Sequence, residues 1–203
     1  MVGPSRVSQL ETILREWLSE PAITLMCGDW RNGCIMEILP EGPATLTREK
    51  YPEPFSGLRD IELPGQPHHL HINLDKLAEV VYAITPCVCY GYRPSFEVRF
   101  NDEAGGTTAF ALAVRQPYLG RKTNRPALIS YFRRLLDHHR RFSGITRFHV
   151  DLAPTLGKPT TDGWEDIRSC FVAAGGPAAF DRSPFPFTGL SHQIPAYEEH
   201  AHV

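Results

Sequence analysis

The sequence has no long hydrophobic run. Its longest apolar stretch, near Val80–Ile84, falls far short of the roughly 18–20 residues a helix needs to cross a bilayer. The opening residues, MVGPSRVSQLETILREW, lack a continuous apolar core, so no signal peptide is expected there. The five cysteines are odd in number and sparse, which argues against a disulfide framework and for a reducing, cytoplasmic setting. Charge of one sign is also missing. The 21 Lys and Arg nearly match the 23 Asp and Glu, and a net charge of −2 gives no whole-molecule pull on a polyanion. Hydrolase and nucleotide signatures are absent: no nucleophile elbow, no paired zincin histidines, no phosphate-cradling glycine loop and no dinucleotide fingerprint. The glycines of CYGYRPS, EAGGTT and AAGGPAAF read as turns. No internal repeat is found.

What is present suits one globular core. The 203 residues are 42% hydrophobic and 22% charged. Val7, Leu10, Ile13, Leu14, Trp17 and Leu18 recur at helical spacing over residues 6–19, and Ser8 with Glu11 suggests a capping box. Strand character follows at Ile23–Cys27, Cys34–Leu39, Ala44–Thr47, Leu58–Leu63, His68–Asn73, Leu77–Ile84, Phe96–Phe100 and Thr108–Val114. Phe96, Val98 and Phe100 alternate with polar neighbours, as on a half-buried antiparallel strand. A second helix is expected from Pro126 to about Phe142, capped by Thr123 or Asn124. Its stripe is Leu128, Tyr131, Phe132, Leu135 and Leu136. A short helix at Trp164–Ala173 follows in a stretch rich in proline and glycine. The expected fold class is α+β, mainly antiparallel, with a helix at each end. Residues 1–142 would form the domain. Residues 143–203 would pack on it as an irregular extension rather than stand as an independent domain.

Within PHHLHINLDKLAEVV, three histidines fall in four positions, and none precedes them. On a strand, Leu70 and Ile72 would face the core. His69 and His71 would share the opposite face, about 7 Å apart. That face is either solvent or a ligand cleft.

The string His71-Ile-Asn-Leu-Asp-Lys-Leu-Ala78 resembles a block in cytoplasmic haem-utilisation proteins of the ChuX/HutX type, which are related to each half of HemS-like proteins. In that family a buried strand, a glycine turn, two antiparallel strands, a Leu-Gly-Arg segment and a helix follow. Here Glu79–Ile84, Gly91, Phe96–Phe100, Thr108–Val114, Leu119-Gly120-Arg121 and the helix from Pro126 take those places. The ordered series over residues 8–142 carries the resemblance. It implies a HemS/ChuX-like sheet, haem or another tetrapyrrole as ligand, and a carrier or storage role in haem iron use. By position His71 would be the iron ligand, and His69 would line the cleft. The family often has a second histidine on an early strand; this sequence reads Thr24-Leu25-Met26-Cys27 there. Cys27 would ligate iron only as a thiolate. Tyr90 or Tyr92 offers a phenolate alternative. Arg121 and Lys122 would pair with haem propionates. A haem-degrading activity follows only from the family relation, so enzyme status stays open. A homodimer is also left open.

Other readings compete. Cys87 and Cys89, with His69 and His71, match a zinc donor set by type but not by spacing, and would make a metal-dependent enzyme. The fold could also persist as a structural or interaction module without haem, which Cys27 favours. Between Arg115 and Arg147 lie seven further basic residues and one acid, Asp137. No recognisable nucleic-acid motif accompanies them, which argues for a solvated helix face.

Overall fold

A computed structural model describes residues 4–29, 34–47, 51–67, 69–87, 90, 93–102, 108–150 and 164–176. Helix α1, Arg6–Leu18, starts at Ser5, whose hydroxyl accepts from the Ser8 amide at 3.3 Å. The expected capping box is therefore not used. Glu11 turns outward instead to Arg15, 2.8 Å away, and to Arg59, 3.1 Å away. Of the stripe read from the sequence, Leu10, Ile13, Leu14, Trp17 and Leu18 point into the core, while Val7 is half-buried at its edge. Burying each such side chain contributes about 1.5–3 kcal/mol.

Strands β1 (Ile23–Asp29), β2 (Cys34–Ile38), β3 (Thr45–Leu46), β4 (Leu58–Glu62) and β5 (His69–Asn73) follow. A single 3-10 turn, Leu74–Lys76, leads into the long strand β6, Leu77–Pro86. Next come β7 (Pro94–Asp102), β8 (Thr108–Val114), and a minimal hairpin of β9 (Tyr118–Leu119) and β10 (Lys122–Thr123). Helix α2 (Arg125–Arg141), β11 (Thr146–Val150) and α3 (Trp164–Ala173) complete the described chain.

The main sheet has six strands in the order β11-β6-β7-β8-β1-β2. All its pairs are antiparallel except β11, which runs parallel to β6. Alternation puts Tyr82, Ile84, Phe96, Val98, Phe100, Leu112 and Leu25 into one core with α1 and α2. A second sheet, β3-β4-β5, is small and antiparallel. Helix α1 ties it on: Arg15 donates to the Leu46 carbonyl at 2.9 Å, and Glu11 holds Arg59 of β4. Ile61, Ile72 and Leu46 are its inward, buried side chains. The fold class is α+β, as expected.

The chain beyond residue 142 supplies more than an irregular covering. β11 is a member of the main sheet, and α3 packs on α2 through fully buried Ile167, Cys170 and Phe171. The Phe171 ring lies 5.3 Å from that of Phe132.

Candidate functional site

In the small sheet, β4 and β5 are in register so that Asp60 faces His71 and Glu62 faces His69. Strand parity sends Leu70 and Ile72 one way and both histidines the other, because residues two apart on a strand share a face. His69 and His71 are exposed, with ring centroids 4.7 Å apart and planes at 87°. His68 lies outside the described residues.

His71 is anchored from behind. Its Nδ1 sits 2.6 Å from Asp60 Oδ1, while its side chain is 55% exposed. Asp60 is itself buried, and Tyr51 donates its hydroxyl to the other carboxylate oxygen at 2.7 Å. The Tyr51 hydroxyl first, and then His71, hold the Asp60 carboxyl below its ordinary range. An ionised carboxylate only accepts, so the proton in this contact belongs to His71 Nδ1. In the neutral ring the Nε2 lone pair then faces away from Asp60. That is the tautomer in which a carboxylate orients a ligating imidazole. Asp60 and Tyr51 were not singled out from sequence. The alternation Leu58-Arg59-Asp60-Ile61-Glu62 marks a strand, but its register against β5 is not written in it.

The other sequence candidates lie elsewhere. Cys27 is on β1 of the main sheet, paired with Met36 and Phe110 and half-buried against the core. Burial pushes its thiol pKa up, so it is held as a neutral thiol rather than a thiolate. Tyr90 is half-buried, with its ring 5.6 Å from Tyr118. The guanidinium of Arg93 stacks 3.8 Å over Tyr118 and donates to the carbonyls of Gly120 and Arg121. Arg121 and Lys122 are exposed on the β9–β10 hairpin beside this cluster. The turn that follows the histidine strand and the loop that holds Tyr90 stand at opposite ends of β6. That strand spans about 30 Å from Leu77 to Pro86. Cys87 also sits at the Tyr90 end, while Cys89 and Tyr92 lie outside the described residues.

A second polar constellation is buried between α1, α2 and β6. Trp17 Nε1 donates to the Tyr82 hydroxyl at 3.0 Å. Tyr82 in turn hydrogen-bonds His138 Nδ1. His138 Nε2 reaches Glu16 Oε2 at 2.7 Å. An indole only donates, so the single Tyr82 proton goes to Nδ1 and the His138 proton sits on Nε2. The sequence marks neither Tyr82 nor His138, which come from distant parts of the chain. Glu16, Asp137 and His138 are near enough together to resemble a metal donor set. Arg141 already occupies both carboxylates, at 2.9 Å and 2.8 Å, and Arg134 stands near Glu16. Two guanidiniums at the carboxylates disfavour a bound cation there.

The basic stretch has acidic partners in the fold. Arg134 pairs with Glu20, Arg140 and Arg141 pair with Asp137, Arg125 pairs with Asp166, and Arg147 pairs with Glu79. No helix among the described residues is long and apolar enough to cross a membrane.

Comparison with solved structures finds distant neighbours. The chain is similar to the haem-binding protein ChuX. One structure of that protein superposes with a TM-score of 0.46 at 9% identity, covering 63% of this chain and 70% of ChuX. A second ChuX structure gives 0.45 at 10% identity, covering 67% and 76%. A structural-genomics target protein from Agrobacterium tumefaciens gives 0.42 at 18% identity, covering 69% and 67%. No family model matches the chain, and no curated protein matches it.

Proposed function

We propose that this chain binds haem or a related tetrapyrrole and acts as a carrier or store in cytoplasmic haem iron use. One observation carries the reading: His71 Nδ1 is held by buried Asp60 at 2.6 Å, while its side chain, with the His69 ring on one side, is 55% exposed. A neutral imidazole so oriented suits an axial position on haem iron. The block His71–Ala78, with its likeness to the haem-utilisation proteins, points to the same residue. The donor set fits one axial bond from the protein. Cys27, as a neutral thiol on another sheet, does not add a second.

In this reading His71 ligates, Asp60 and Tyr51 orient it, and His69 borders the bound ring. Bound haem would supply the redox and ligand-exchange chemistry of its iron. Tyr90, Arg121 and Lys122, at the far end of β6, are not assigned a part.

The test is a haemin titration of the purified protein and of His71→Ala, followed by optical absorption. A saturable one-to-one Soret change in the wild type that is lost in the variant supports the reading. A neutral thiol at position 27 favours a second one: an interaction module that keeps the fold without the ligand. Absence of any saturable change in the wild type selects it.

A further inference from the structure

We propose that His69 and His71 form a chelating site for a divalent transition-metal ion, with Glu62 as third ligand and Asp60 as the orienting carboxylate. The site shares His71 with the tetrapyrrole reading but does not depend on it; the two ligands exclude one another there.

Three features place the donors together. The register of β4 and β5 sets Glu62 directly opposite His69, a pairing that holds the two Cβ atoms about 4.5–5.5 Å apart. The two imidazoles lie on one face, with centroids 4.7 Å apart. Asp60 already accepts from His71 Nδ1, the second-sphere contact that metal-bound histidines almost always make. It leaves Nε2 as the donor without further rearrangement. His69 makes no hydrogen bond among the described residues, and its ring meets that of His71 edge to face. The three donor atoms do not yet converge, so the site forms only as the His69 ring and the Glu62 carboxylate turn toward His71 Nε2. Glu62 is exposed and makes no ion pair among the described residues, so its carboxylate swings in without breaking a contact.

The donor chemistry selects the ion class. Two imidazoles and a carboxylate suit Zn²⁺, Cu²⁺ or Ni²⁺ rather than Ca²⁺ or Mg²⁺, which take all-oxygen shells. A strand pair also holds the backbone positions of the donors at fixed spacing. The site remains open on its solvent side, leaving a coordination position for water or a small ligand.

The test uses the full chain with Zn²⁺ and with Cu²⁺ alone. Isothermal titration should show one zinc ion per chain. It should be abolished in His69→Ala and in His71→Ala, and weakened roughly 10–100-fold in Asp60→Asn. A variant with His192, His200 and His202 changed to alanine should bind as the wild type does. Electron paramagnetic resonance of the Cu²⁺ complex should show two nitrogen donors, falling to one in His69→Ala. Glu62→Gln should weaken zinc uptake yet keep any haemin binding, because Glu62 has no part in the tetrapyrrole reading, so failure of one proposal is separable from failure of the other. Zinc uptake unchanged in His69→Ala, uptake lost with the three tail histidines, or no one-to-one zinc binding by the wild type would each overturn the site.

Discussion

Asp60 decides which nitrogen of His71 faces outward. Replacing it with asparagine removes the charge and lets the ring choose its tautomer, while leaving the strand pairing alone. We expect Asp60→Asn to fold normally and to lose roughly 10–100-fold in haemin affinity, read by optical titration. Tyr51→Phe removes one hydrogen bond to the same carboxylate and should lose less. A second residue-scale case is Tyr82, whose hydroxyl serves Trp17 and His138 together. Tyr82→Phe leaves two buried groups without partners, at about 1–3 kcal/mol each, measurable by urea unfolding. His71 could be singled out as a candidate from the sequence because its block is local. Asp60, Tyr82 and His138 were not, because each matters only through a partner brought to it by strand register or helix packing.

At the scale of elements, α1, α2 and β6 are locked by a histidine that folding buries. Burial lowers the His138 pKa; Glu16 opposes this, while Arg141 and Arg134 reinforce it. The folded ring therefore takes up a proton less readily than the unfolded one, whose pKa is about 6.5. Its stabilisation is complete above that pH and declines as pH falls toward the lowered folded value. Glu16 and Asp137 act later. For Glu16, burial is outweighed by hydrogen bonds from Arg141 and His138; for Asp137, Arg141 dominates; both carboxyls end below their usual range. Their contribution is present above the unfolded carboxylate pKa and lost as pH falls through the depressed values. Urea midpoints should thus drop in two stages on acidification, and His138→Gln should remove the earlier stage. Gly57, just before β4, gives another test of the element scale. A Cβ there would come within 2.2 Å of Asp75 Oδ2 and 2.7 Å of Asn73 Oδ1, at the turn that closes the histidine strand. Gly57→Ala should push the exposed Asp75 carboxylate aside and loosen the Asn73 cap of that turn, costing about 0.5–2 kcal/mol, read by thermal unfolding. Most elements were legible from their apolar pattern: α1 and α2 each bury one stripe, Phe96–Phe100 of β7 alternates, and β6 reads as an apolar run because Val80–Thr85 is buried on both faces. β11 was missed: Thr146-Arg-Phe-His-Val is short, and its parallel partner lies in β6, far back in the chain.

At the scale of the molecule, the body continues past the point where composition changes. The prolines and glycines after residue 142 suggested a covering, yet β11 closes one side of the sheet and α3 docks on α2. Phe171→Ala should therefore destabilise the whole protein by about 3–5 kcal/mol, a core-cavity cost. Val172→Ala, one residue on and 40% exposed, should stay within about 0.5 kcal/mol. The basic stretch was readable as composition, but its acidic partners on and just after α1, on α3 and on β6 were not, because ion pairs between elements leave no local pattern. The carboxylate-backed imidazole at position 71 is tested most directly by resonance Raman spectroscopy of the ferrous haem complex. The account predicts an iron–histidine stretching band in the wild type, absent in His71→Ala and lowered in frequency in Asp60→Asn. A band unchanged in His71→Ala, or no complex at all, would contradict it.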